Sequence, residues 1–354
     1  MNILPISFGA SFIIKQAPLS GIDANGITKE IIDSERARQI GVSVPQYNIT
    51  ASYETKGEIA TFPSNKIEEK HFNSLFKNLF LMDKNNLNHN DLDIGHIFYS
   101  DDGTVEIDCF RFSSPFIENK KKKYSLPDFM MPTNQLNYEN ASLSLYVMQI
   151  PNQKDRIEFI KSYLKASANY HADKANYIIN NHSSNYTCEM LHYEAILEKV
   201  LQNPDDEMAN LMLQKLDFLA KQRLAFTEWD EGDGACGHPF SKKRRLNSIP
   251  LYLDAVKSAI EYSNNSSELS SVTSGDKSKY YEFEAKTGEY FANTYLTWIK
   301  EMADWNFTDT RVSPLNNESK EELSQSYKAI LDATLSEKPK KIDEYIKLYN
   351  SKII

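Results

Sequence analysis

Two carboxylates stand on either side of a tight-turn signal in the first third of the chain. His89-Asn90-Asp91-Leu92 precedes the turn, Asp108 follows 17 residues after Asp91, and Asp101-Asp102-Gly103 lies between them. An Asp-Gly pair flanked by short apolar runs, here Ile97-Phe98-Tyr99 and Val105-Glu106-Ile107, marks a β-hairpin. A hairpin of that size keeps two anions close enough to share one substrate without collapsing onto each other. Phosphoryl transfer is one chemistry that can use such a pair. It needs one carboxylate to orient an acceptor hydroxyl and another to hold a divalent cation against the phosphates. Mg2+ takes oxygen ligands and keeps several waters, so one aspartate plus phosphate oxygens suffices to seat it.

The elements that must position these groups show as periodicities. Residues 68–85 carry Phe72, Leu75, Phe76, Leu79, Phe80 and Met82, mostly three and four apart, which predicts an amphipathic helix. Residues 28–41, with Ile31, Ile32, Glu35, Arg36 and Ile40 before Gly41, predict another. Short strands are expected over 11–15, 43–53 and 58–62. From about Lys154 onward helical spacing dominates, with helices predicted over 155–168, 188–201, 206–226, 250–262, 280–305, 320–335 and 342–349. Residues 227–247 read as loop, and the serine-rich stretch 263–276 reads as a mobile linker. Trp298 and Trp305, seven apart on one helical face, read as core.

The segment His89-Asn90-Asp91-Leu92-Asp93-Ile94-Gly95-His96 resembles the catalytic loop of protein kinases, His-x-Asp-Leu-x-x-x-Asn. Asp108, after its hairpin, stands where that superfamily places its metal-binding aspartate. Upstream, Phe12-Ile13-Ile14-Lys15 is similar to the Val-Ala-Ile-Lys strand, and Glu35, 20 residues later, matches the spacing of the lysine's ion-pair partner. The likeness is closest to the short secreted effector kinases of enteric pathogens (OspG and NleH type) and to aminoglycoside-type phosphotransferases. It implies a reduced two-lobed protein-kinase-like α+β fold over residues 1–150, followed by a mostly α-helical region over 151–354. It implies ATP and Mg2+ (or Mn2+) as cofactors. In that scheme Lys15 and Glu35 clamp the phosphates, Gly9 serves a truncated glycine-rich loop, and Asp91 orients the acceptor. His89 holds the loop backbone, Asp108 binds the metal, and His96 assists it. The acceptor is expected to be a protein, a small molecule being the other option.

The sequence also departs from the kinase pattern. His96 replaces the asparagine that holds a second metal, and imidazole is a softer donor. Asp93 would repel a γ-phosphate, no glycine follows Asp108-Cys109-Phe110, and only 14 residues precede Lys15. These departures fit a second reading, a pseudokinase binding module that recruits a host partner, and a third, in which ATP serves transfer of another group. The plain structural alternative makes Asp91 and Asp108 turn residues, and Lys15 and Glu35 solvated charges.

Bulk properties narrow the classes further. With 354 residues and 41% apolar content the chain can bury a real core, and a net charge of −9 makes a nucleic-acid partner unexpected. Three widely spaced cysteines form no disulfide framework, and no apolar run is long enough for a membrane span. No Sec-type signal is read at the start. The effector likeness therefore implies delivery into a host cell by a Sec-independent route, the alternative being the cytoplasm. Lys242-Lys243-Arg244-Arg245 resembles a nuclear-import or acidic-partner patch, and Lys120–Lys123 suits an acidic partner, anionic lipid or a solvated loop. Cys236-Gly237-His238 near Asp230, Glu231 and Asp233 is a weak hint of a metal site.

Overall fold

The apolar stripe of residues 68–85 folds as expected, into helix α1, Glu69–Lys84, and its neighbours follow from what that stripe must cover. The computed structural model describes residues 33–45, 66–85, 87–89, 92, 96–107, 110, 114–115, 143–144, 146–181, 188–234, 239–312 and 315–353. Contacts divide the chain into two units, Met1–Asn210 and Leu211–Ile354.

In the first unit α1 packs on α2, Gln153–Asn181, which packs on α3, Cys188–Leu201. Phe72 of α1 meets Phe159 and Tyr163 of α2 edge-on at 5.2 and 5.4 Å, and Phe76 meets Tyr163 and Tyr170. Edge-to-face rings add directional attraction to burial, which fixes the crossing of the two helices. Strands β1 (Leu87–Asn88), β2 (Ile97–Tyr99), β3 (Val105–Ile107) and β4 (Ser114–Pro115) form two antiparallel pairs, β1 with β4 and β2 with β3. The β2–β3 turn closes as the Asp-Gly signal predicts. Asp102 Oδ1 accepts from the Thr104 amide at 2.8 Å, and Gly103 takes a positive φ of 97° that side chains disfavour.

Among the described residues no third strand joins the hairpin. Its edge groups are met instead by α1 and by the segment before it. Asn78 Nδ2 donates to the Val105 carbonyl at 2.7 Å, while Asn78 Oδ1 accepts from the Ser43 amide at 3.0 Å. The Val105 amide donates to Ser74 Oγ at 2.9 Å, and the Ile107 amide donates to the Ser43 carbonyl at 2.9 Å. The expected two-lobed kinase-like α+β fold is therefore corrected. Among the described residues no strand exceeds three residues, and helices supply the layers of both units. The physical reason is that a helix with polar Ser74 and Asn78 at its hairpin-facing edge satisfies the hydrogen bonds a sheet would otherwise need.

The second unit is built on α5, Lys242–Val272, and α6, Gly275–Thr308, joined by two residues and packed along their full length. Contacts run in opposite senses along them: Asn306 Nδ2 to the Arg245 carbonyl, Gly288 against Ala259, Ser263 Oγ to the Ala285 carbonyl, Ser270 against Ser278. A Cβ on Gly288 would lie 2.8 Å from the Ala259 carbonyl oxygen, so this closeness depends on glycine. Helix α4, Asp206–Gly232, within which the boundary between the units falls, lies in the groove of this hairpin. Phe218 packs on Tyr262 and Phe291, and Lys215 Nζ reaches Glu284 at 2.8 Å. Helices α7, Asn317–Asp332, and α8, Lys338–Ile353, close the bundle. There Tyr327 donates to the Leu296 carbonyl and Tyr349 to the Leu246 carbonyl.

Two expectations fail here. The serine-rich stretch is not a linker: Ser263 to Val272 is the last third of α5. Ser266 Oγ donates back to the Tyr262 carbonyl at 2.7 Å, so hydroxyls that look solvated in sequence are buried in a small-residue seam. Residues 227–247 likewise contribute the end of α4 and the start of α5. Among the described residues no helix is long and apolar enough to cross a membrane.

Two stability predictions follow from buried hubs. Asn78→Ala strands the Ser43 amide and the Val105 carbonyl and should cost about 3 kcal/mol, since each buried unsatisfied group costs ~1–3. Lys338 is buried and donates from Nζ to the carbonyls of Ile330, Leu331 and Ala333, capping the end of α7. Lys338→Met should cost about 2 kcal/mol. Both are read as a lower urea midpoint at unchanged slope, followed by circular dichroism; a midpoint matching the parent overturns the assignment.

Candidate functional site

The residues predicted for phosphate chemistry divide sharply. Lys15, Gly9, Asp91 and Asp108 lie outside the described residues, as do Asp93, Cys109, Cys236, His238 and Lys120–Lys123. His89 and His96 are brought together, with ring centroids 6.0 Å apart. His89 has no exposed surface and stands edge-on to Phe110 at 4.8 Å, as a ring held in a core. Glu35, in the helical residues 33–39, is exposed and pairs with Arg38 one turn later on the same helix. It thus has a local partner for its charge. The carboxylate expected to give Mg2+ its oxygen donor, Asp108, and the one expected to orient the acceptor, Asp91, are both outside the described residues. Among the described residues no group of three His, Cys, Asp or Glu side chains is placed to hold a metal ion.

The second unit holds the features that sequence reasoning missed or misread. The run Lys242-Lys243-Arg244-Arg245 forms the first turn of α5, and only its lysines face solvent. Arg244 pairs with Glu228, at 3.1 Å, and with Glu231. Arg245 is buried, with Nη1 2.9 Å from Asp233 and 3.2 Å from Asp309. Cations at a helix N-terminus and carboxylates at a helix C-terminus each oppose the helix dipole, at ~0.3–1 kcal/mol apiece. Placed against each other across the α4–α5 junction, the two misplacements offset. Asp309 also takes Arg311 at 2.7 Å. Those Arg311 hydrogen bonds hold the Asp309 carboxyl down at about 2, so Asp309 itself keeps its charge in mild acid.

The Arg245 guanidinium lies 4.5 Å from the ring centre of Trp229, and Trp229 meets Trp305 at 6.5 Å and 35°. All three tryptophans of the chain belong to this region: Trp298, seven residues before Trp305 on α6, packs on Tyr252 and Tyr295. The expectation that Trp298 and Trp305 are core is corrected for Trp305, which is 60% exposed, while Trp298 is half-buried. A signal for this was present in the sequence. Glu301 falls on the same helical stripe, three residues after one indole and four before the other, and a buried stripe does not carry an unpaired carboxylate there.

Two buried carboxylates serve architecture. Glu284 accepts from Lys215 and from the Tyr262 hydroxyl, tying α4, α5 and α6 together. In the first unit Glu194 of α3 is fully buried and meets His171 Nδ1 at 2.6 Å and Lys174 Nζ at 3.2 Å, both on α2. A cleft of about 250 Å³ also opens beside α5 and α6, lined by Ser267, Ser270, Glu282, Lys286 and Glu289. Its one cation, Lys286, already pairs with Glu282 at 2.6 Å, one turn away. No protein-family model, curated protein or solved structure matches the chain.

Glu194 gives a pH prediction. Burial raises its carboxyl, but the charges of Lys174 and His171 outweigh burial and hold it below its ordinary value. A carboxyl depressed in the folded state adds stability that is present above its unfolded value, 4.5, and lost as the pH falls through the folded one. Glu194→Gln should therefore flatten the loss of stability below about pH 4.5, measured by urea melts between about pH 3 and about pH 7. An acid limb as steep as that of the parent would show that Glu194 is not its source.

Proposed function

We propose that this chain is a helical docking module for a protein partner, working by recruitment rather than by group transfer. The observation that carries the reading is Trp305, an indole left 60% exposed on α6 and set beside Trp229. Leaving so large an apolar ring in water forgoes free energy that covering it recovers, at roughly 25 cal/mol per Å2. Tryptophan and arginine are also the side chains that dominate the energetics of interfaces. The ring is already fixed from behind. Trp229 is braced by Arg245, itself held by Asp233 and Asp309, so little side-chain freedom is lost when a partner arrives.

Phosphate transfer with ATP and Mg2+ reached this chain through a two-lobed fold and a metal-binding aspartate; its helices replace the first, and the second, Asp108, lies outside the described residues. The docking reading needs neither. It takes up the partner-recruiting option of the sequence without the kinase framework.

The test uses a photo-crosslinking amino acid placed at position 305, and separately at Glu318, an exposed position on α7, in cells that make the protein. A discrete adduct from position 305 that position 318 does not give supports docking there. Equal or absent adducts at both positions sink it. In parallel, Mg·ATP should leave the melting temperature unchanged. A nucleotide present at about 100 times its dissociation constant would stabilise by ~2.7 kcal/mol, and a rise of that size would restore the transferase reading.

A further inference from the structure

The same face has a charge that specifies what docks on it. On α6, Trp298, Glu301 and Trp305 follow at spacings of three and four, which places one carboxylate on a stripe between two indoles. Glu301 is exposed and makes no ion pair or hydrogen bond among the described residues. Asp230, next to Trp229 on α4, makes no ion pair among them either. Several cations of the region are already engaged, Arg244 with Glu228 and Glu231, Arg245 with Asp233 and Asp309, Arg311 with Asp309, Lys300 with Asp304, while Lys242 and Lys243 face solvent on the first turn of α5. The last two turns of α4 carry Glu228, Asp230 and Glu231, and Asp233 follows directly, with no basic residue among them.

From this pattern we infer that the tryptophan face takes an arginine- or lysine-bearing segment of the partner protein, with a cationic head against Trp305 and Glu301 as its counter-ion. The inference rests on the docking reading and adds the chemistry of the occupant. An indole face attracts a cation through its quadrupole, most strongly among the aromatic rings. A guanidinium suits the seat better than an ammonium, because it is planar, weakly hydrated and stacks on rings. The fold already uses that contact once, where Arg245 covers Trp229 from inside. The outer contact would repeat it with an arginine from another chain. An acidic occupant would meet Glu301 on the stripe itself, and an uncharged one would leave that carboxylate desolvated without compensation.

The experiment is calorimetric titration of the full chain with acetylated hexa-arginine amide and with the matching hexa-citrulline peptide, which keeps the shape and loses the charge. Arginine peptide should bind and citrulline peptide should not. Glu301→Gln should weaken binding about tenfold, Trp305→Ala should abolish it, and Trp305→Phe should retain part of it. Glu318→Gln, a remote acidic control, should change nothing. Raising salt from about 50 to about 300 mM should weaken the parent far more than Glu301→Gln. Equal binding of both peptides, or equal effects of Glu301→Gln and Glu318→Gln, overturns the inference. If position 305 still crosslinks in cells under either of those outcomes, docking stands and its cationic occupant falls; if crosslinking fails as well, both fall.

Discussion

Everything in the second unit depends on how closely α5 and α6 approach. Helices of 31 and 34 residues lie side by side for about 46 Å, at ~1.5 Å of rise per residue, with two residues turning one into the other. Contact of that length demands small side chains on the facing stripe, and Ala259, Ser263, Ser266, Ala285 and Gly288 provide them. All are buried apart from the glycine's missing side chain, whose place is taken by the Ala259 carbonyl and the Tyr262 ring. Close backbones turn many weak dispersion contacts into a continuous surface. They also create the single groove into which Phe218 of α4 fits, against one ring from each helix. Widening the seam at Gly288 would loosen Phe218, Lys215 and the buried Glu284 together.

The electrostatics of the unit follow from that arrangement. With α5 folded back along α6 and α4 lying in their groove, the C-terminal end of α4 meets the N-terminal end of α5. Charges that are unfavourable on each helix alone become partners. Arg245 is the centre: its side chain bridges Asp233 and Asp309, its carbonyl accepts from Asn306, and its plane covers Trp229. A run of four basic residues thus splits by direction. Its two lysines face water, and its two arginines are engaged with carboxylates and an aromatic ring.

The elements were legible where one side chain pattern serves one purpose. Phe72, Leu75, Phe76 and Leu79 can only be the buried stripe of a helix, and Asp102-Gly103 can only turn a hairpin tightly. Legibility fails where a residue type is ambiguous. Serines at 263, 266 and 270 read as solvated, because nothing local says that neighbouring carbonyls will take their protons. His89 and Glu35 fit a kinase-like spacing, and spacing along the chain says nothing of burial or of ion-pair partner. His89 lies in the core and Glu35 pairs with Arg38 on its own helix. Trp305 read as core because apolar periodicity ranks indoles with leucines, and only Glu301 on the same stripe argued otherwise. The architecture of the hairpin was likewise hidden. Two strands with good pairing imply a sheet, until Asn78 and Ser74 are seen to take the hydrogen bonds that a third strand would have taken.

The distribution of the indoles has a spectroscopic consequence. Trp229, Trp298 and Trp305 all belong to Leu211–Ile354, so the tryptophan emission of the protein originates entirely in one of its two units. The first unit contains tyrosines alone as emitters, several of them deep among aromatic neighbours that quench or transfer their excitation. A red-shift on excitation at the indole edge therefore reports the helical bundle around Arg245 and is silent about α1, α2 and α3, whereas ellipticity sums over both. Any gap between the two signals during unfolding would measure how independently the halves come apart.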